Sequence, residues 1–130
     1  DTGLLCWLLG IRGSEQLVGH AMRGRIFENF VISEILKFQL AAGETPSLFF
    51  RRDSAQLEVD LIVDNDANLI PIEIKSGATL SVDQFNAIDK WLTLSGSNKG
   101  YLIYGGVQKQ IRGKVHALGW RDMHAAWSTT

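Results

Sequence analysis

Three residues between Gln56 and Gly77 have the types and spacing to do chemistry together: Asp60, Glu73 and Lys75. The stretch QLEVDLIVDNDANLIPIEIKSG reads as two strands joined by a short turn, with Asp60 on the first and Glu73-Ile74-Lys75 on the second. Paired carboxylates suit a hard divalent cation, Mg²⁺ or Mn²⁺, which takes oxygen ligands and keeps waters and substrate phosphate as its others. Such an ion polarises the phosphate and lowers the pKa of a bound water. A lysine on the same face would orient that water or stabilise charge building on the phosphate. The chemistry so indicated is metal-dependent phosphodiester cleavage.

The register decides whether these groups meet. A turn centred between Asp66 and Ala67 sets Asp60 opposite Glu73 and Glu58 opposite Lys75, and a slip of one residue would undo it. Alternation places Leu57, Val59, Leu61 and Val63 on one face and Glu58, Asp60 and Ile62 on the other. On the second strand it places Ile70, Ile72 and Ile74 opposite Glu73 and Lys75. Like charges facing each other across two strands are destabilising, so Asp60 and Glu73 need compensation. A metal would supply it. The plainer reading is that Lys75 with Arg51 or Arg52 neutralises a half-solvated sheet face, and Glu-x-Lys alone is too short to decide.

Other residues bear on that choice. Glu28 stands inside the apolar helical run Ile26-Phe27-Glu28-Asn29-Phe30-Val31, where a carboxylate is costly unless paired or bound to metal. It is a third candidate metal ligand, or else an ion-pair partner of Arg23 or Arg25. Arg51, Arg52 and Lys99 are candidate phosphate contacts, since basic side chains position a nucleic-acid backbone. Gln84 would contact phosphate or a water, or else is a solvated residue at a helix start. His20, His116 and His124 are scattered, and no His, Ser or Cys constellation suggests another hydrolase.

The elements that must hold these residues follow from pattern. Residues 1–13 read as a short apolar helix ending at Gly10 and Gly13, and Ser14 to Gly19 as a polar connector. His20 to about Ala42 carries apolar residues at helical spacing on more than one face, which predicts a deeply packed helix. Ser47 to Asp53, Leu57 to Asp64 and Leu69 to Ser76 are strands. Val82 to Leu94 is an amphipathic helix with Ser81 as N-cap and Gly96 beyond its end. Lys99 to Tyr104 is a covered strand ended by Gly105-Gly106. A last strand near Gly113 to Leu118 and a Trp-rich end follow. The order helix, three strands, helix, strand predicts an α/β layered domain with a mixed sheet.

Composition bounds the function without choosing it. The 130 residues, 45% hydrophobic, fit one domain that buries its own core. A net charge of −1 gives no bulk electrostatic support for nucleic-acid binding, so any such binding needs a local patch. Cys6 is the single cysteine, which excludes an intrachain disulfide and a Cys/His metal framework and makes a cytoplasmic setting the default. The apolar opening DTGLLCWLLG lacks a basic leader, and no stretch is long enough to span a membrane. A start on Asp1 suggests a piece of a longer protein.

Taken together, Glu28, Asp60, Glu73 and Lys75 resemble the pattern of the PD-(D/E)XK nuclease superfamily: an acid on the first core helix, an Asp on one strand and Glu-x-Lys on the next. Val59 stands where that pattern's name has proline. A closer resemblance covers almost the whole chain. Asp1-Thr-Gly-Leu-Leu, Leu8-Leu-Gly, Gly24-Arg-Ile-Phe-Glu-Asn-Phe-Val31, Phe50-Arg-Arg-Asp53, Glu58-Val-Asp60, Pro71-Ile-Glu-Ile-Lys-Ser-Gly77 and Tyr104-Gly-Gly106 are similar to the C-terminal domain of unknown function of predicted AAA-type prokaryotic ATPases. The resemblance implies a restriction-endonuclease-like three-layer core over residues 1–130, with a mixed central sheet flanked by helices. It also implies an ATPase module preceding Asp1. ATP binding cannot reside in this chain, which has no Gly-x-x-x-x-Gly-Lys-Ser/Thr loop.

Three functions compete. The first is a nuclease domain using Glu28, Asp60 and Glu73 as metal ligands with Lys75 assisting. The second is a non-catalytic module that binds DNA or a partner, with Trp7, Trp120 and Trp127 docking on the ATPase or forming a homo-oligomer, unless they are ordinary core. The third is a structural lid in which the motif is a relic. Acids converging on one open cleft favour the first. A dry cluster tied up by arginines, or Lys75 turned away, favours the second.

Overall fold

Asp1 starts the first helix, α1 (Thr2–Leu8), by accepting the Leu4 N–H at 2.9 Å, which satisfies one of the donors a helix start leaves open. The computed structural model describes residues 1–52, 58–64 and 68–126, and the side chains of Arg51 and Arg52 lie outside that description. So do the expected turn at Asp66-Ala67, the residues Asp53 and Leu57, and Trp127. Ser14–Gly19, expected as a connector, is a short helix, α2. Glu15 in its first turn suits the positive end of the helix dipole, a weak signal in so short a segment.

The main helix α3 runs over Arg23–Ala41, and Gly43 at φ 76° turns the chain after it. Its packing differs from expectation. One stripe is buried (Ile26, Val31, Ile35 and Gln39), while Leu36 and Leu40 are exposed, because only one side of the helix meets the sheet. Strands β1 (Leu48–Arg52), β2 (Glu58–Asp64) and β3 (Leu69–Lys75) follow, then helix α4 (Val82–Ser95) and strand β4 (Gly100–Tyr104). Gly96 closes α4 in the left-handed conformation at φ 72°, which only a residue without Cβ adopts cheaply. The chain ends in β5 (Gln110–Arg112), β6 (Val115–Gly119) and a 3-10 helix over Trp120–Ala126. Strand β5 was not anticipated; three residues with one apolar side chain carry too little pattern.

The sheet is six-stranded and mixed, in the order β1-β2-β3-β4-β6-β5. Strands β1, β2 and β3 are antiparallel neighbours, β4 is parallel to both β3 and β6, and β5 is an antiparallel edge. Alternation sorts β4 between two cores. Tyr101 and Ile103 pack with Val31 and Ile35 of α3 and with Ile72 and Ile74, while Leu102 packs with Phe85, Ile88 and Leu92 of α4. The sheet is thus sandwiched between α3 and α4. No described helix is long and apolar enough to cross a membrane.

The β2–β3 register is the expected one where it is formed: Leu61 pairs with Ile72, Ile62 with Pro71, Val63 with Ile70 and Asp64 with Leu69. Strict alternation in β2 fails. Between the pairs Phe49–Ile62 and Arg51–Val59, β1 advances by two residues and β2 by three, so β2 carries a bulge at Asp60-Leu61. The bulge splits the predicted apolar face. Val59 packs with Ile62 and Trp91 under α4, whereas Leu61 and Val63 pack under α3. Ile62, expected on the charged face, is buried.

Candidate functional site

The bulge leaves Asp60 where β2 and β3 stop pairing. Beyond Leu61–Ile72 the ladder ends, and the carboxylate of Asp60 accepts the Ile74 N–H at 2.7 Å. A side chain thereby takes over from a backbone carbonyl, and the strands separate around it. On its other edge β3 stays paired with β4 as far as Lys75–Tyr104.

A cleft of about 380 Å³ opens at this separation. Its walls are Glu58 and Asp60 from β2, Glu73, Ile74 and Lys75 from β3, Ser76 beyond it, and Gly24, Arg25 and Glu28 from α3. Lys75 faces the acids. Its ammonium lies 2.5 Å from Glu73 and 3.7 Å from Asp60. Glu28 enters from α3, with Arg25 3.6 Å away, so one of the two arginines expected as its partner fills that role. Arg23 instead donates to the Ser76 carbonyl at 3.0 Å and ties the start of α3 to the end of β3.

Among the described wall residues four are carboxylates, Glu28, Glu58, Asp60 and Glu73, and two are cations, Arg25 and Lys75. Burial, then the charge of Asp60, raises Glu73 above the ordinary glutamate range despite its hydrogen bond to Lys75. Burial and Asp60 raise Glu28 in the same order, against the pull of Arg25 and Lys75. For Lys75, burial alone would lower the pKa, but the hydrogen bond to Glu73 and the charges of Asp60 and Glu73 outweigh it, and the net shift is upward. The net shift favours the ammonium form of Lys75.

The remaining expected residues divide. Arg51 and Arg52 lie on the stretch of β1 that pairs with Val59 and Glu58, beside the cleft's β2 wall. Lys99 lies before the start of β4, at the end of the sheet away from Lys75, with its ammonium over the Tyr101 ring at 4.8 Å. Gln84 is outside the cleft walls, and its carbonyl oxygen accepts the Ser81 N–H at 3.0 Å, capping α4. Trp7 is 60% exposed, and Trp120 packs edge-to-face on Phe30 at 5.6 Å.

Two features were missed. Glu58 is a wall of the cleft, and its place two residues before Asp60 was the available signal. The second is the loop Gly105-Gly106. The Gly105 N–H reaches the carbonyls of Lys75 and Gly77, both at 3.0 Å, and a Cβ on Gly105 would lie 2.4 Å from the Ser76 carbonyl oxygen. Only glycine lets this loop sit against the backbone that carries Lys75.

The donor set, carboxylate oxygens on an open cleft, is of the kind a hard cation takes. Among the described residues no three His, Cys, Asp or Glu side chains stand close enough to enclose a metal.

No curated protein and no solved structure matches the chain. A domain of unknown function, DUF4143, matches residues 23–123, from the first residue of α3 into the final 3-10 helix. That span carries the whole sheet and, of the cleft's walls, leaves out Ala21 alone. The chain belongs to the DUF4143 family.

Proposed function

We propose that this domain is a metal-dependent nuclease with a restriction-endonuclease-like core, acting beside an AAA-type ATPase module of its parent protein. One observation carries the reading: Asp60, Glu73 and Lys75 meet in an open cleft where β2 releases β3, with Glu28 entering from α3. Asp60 and Glu73, with Glu28 drawn in from α3 on binding, would hold Mg²⁺ or Mn²⁺. The ion would supply a polarised phosphate and an activated water. Lys75 would stabilise charge developing on the phosphate, and Arg51 and Arg52, on the part of β1 paired with Val59 and Glu58, would contact the strand's phosphates.

The test is cleavage of labelled DNA and RNA strands, single and duplex, with Mg²⁺, Mn²⁺ or EDTA, comparing wild type with Lys75→Ala. Metal-dependent cutting lost in the variant supports the reading. Cutting unchanged by it, or absent throughout, sinks catalysis in this domain. One observation favours a non-catalytic binding module instead: Lys75 already neutralises Glu73, and the acids do not close into a ligand set among the described residues. In that case nucleic acid binds without being cut.

A further inference from the structure

A second cavity, of about 410 Å³, lies on the other side of the start of α3. It shares Ser76 with the acidic cleft. Helix α3 serves both: Gly24, Arg25 and Glu28 face the cleft, while Arg23, Phe27 and Phe30 face this pocket. Trp120 completes it, edge-to-face on Phe30. None of its described lining residues is acidic, and Arg23 stands where the two cavities meet, donating to Ser76. The contrast is sharp. The cleft is carboxylate-lined, and the pocket is aromatic with one guanidinium at its inner edge.

We infer that this pocket receives an unpaired nucleobase of the strand whose phosphate sits in the cleft. The inference rests on the nuclease or nucleic-acid-binding reading of the cleft and adds the substrate class: single-stranded, or locally unpaired, nucleic acid. Three observations select this occupant. The shared wall residue Ser76 sets the pocket directly beside the cleft. Phe27, Phe30 and Trp120 offer the ring surface on which bases stack without regard to sequence. The positive Arg23, among described lining residues that include no acid, complements the phosphodiester on either side of the base.

The test compares an oligothymidylate with the same strand carrying abasic positions. Binding is measured by anisotropy in Ca²⁺, with strand integrity checked on a gel. The intact strand is expected to bind about tenfold tighter, the scale of one stacked base. Trp120→Leu, which keeps apolar bulk and removes the ring, is expected to bring the two strands to equal affinity. A 2-aminopurine base in the strand is expected to lose fluorescence on binding wild type. That measurement, with the two-strand comparison, carries the test if Trp120→Leu does not fold. Equal binding of both strands, with a bright 2-aminopurine, overturns the pocket and leaves the cleft reading standing. Failure of both strands to bind overturns the pocket and the cleft reading together.

Discussion

The two edges of β3 behave differently, and the site lies between them. Toward β4 the parallel ladder holds to the last residue, Lys75–Tyr104. Toward β2 it lets go after Leu61–Ile72, and a carboxylate takes the next amide. One edge fixes Glu73 and Lys75 in place; the other frees the space in front of them. A site of this kind needs both, because a strand held on both edges has no room for a substrate and one held on neither has no precision.

Substitutions can break that comparison at each edge. The largest effect is expected from Ile72→Ala, the last residue of β3 that is paired on both sides and wholly buried. It should cost about 3–4 kcal/mol in urea unfolding by leaving a cavity in the α3 core. Next is Lys75→Ala, which should lower any metal-dependent cleavage by about 10²–10³-fold with the fold retained, as measured by initial rates and circular dichroism. Gly105→Ala acts from the held edge. Its Cβ would press on the Ser76 carbonyl, so it should cost about 1–3 kcal/mol in stability and displace the Lys75 resonances in a two-dimensional NMR spectrum. Gly13→Ala, with open space around its Cβ, is the control expected to do neither.

Smaller effects sharpen the comparison at the freed edge. Glu73→Gln should stabilise the fold by about 1 kcal/mol at neutral pH, as substitutions that relieve a functional site often do. Its raised pKa fixes the sign. Between the ordinary value of 4.5 and its folded value, Glu73 binds more protons folded than unfolded, so stability falls as pH rises through that window. Melting temperature measured from pH 4.5 upward should fall less steeply in Glu73→Gln than in wild type. A parallel fall in both would show that Glu73 is not strained. Mg²⁺ or Mn²⁺ should raise the wild-type melting temperature above this window and lose that effect in Glu73→Gln.

Much of this arrangement is legible in the chain. The hairpin register follows from turn formers between Asp64 and Asn68 and from alternation in β3, and the pairs from Leu61 to Asp64 obey it. The bulge does not follow, because Leu57, Val59, Leu61 and Val63 alternate as though β2 were regular. Ile62 among the charged residues was the discordant letter. Gln84 three residues after Ser81 is a capping-box spacing, which explains its place on α4 better than a phosphate contact does. The six residues of α2 and the three of β5 are placed by tertiary contacts, since neither segment carries enough periodicity to declare itself. The Gly105 clamp is invisible in sequence because what matters is the backbone it touches, far away in the chain.

The bond from the Ile74 N–H to Asp60 has a spectroscopic consequence. This amide hangs from an ionisable side chain within the cleft, while its neighbours in the strand answer to backbone carbonyls. Any cation that draws on the Asp60 carboxylate must weaken that bond. The Ile74 proton should then move upfield and exchange faster with deuterium, while those of the paired stretch stay put. The Ile74 amide thus reports whether a cation occupies the cleft, independently of any assay for cleavage.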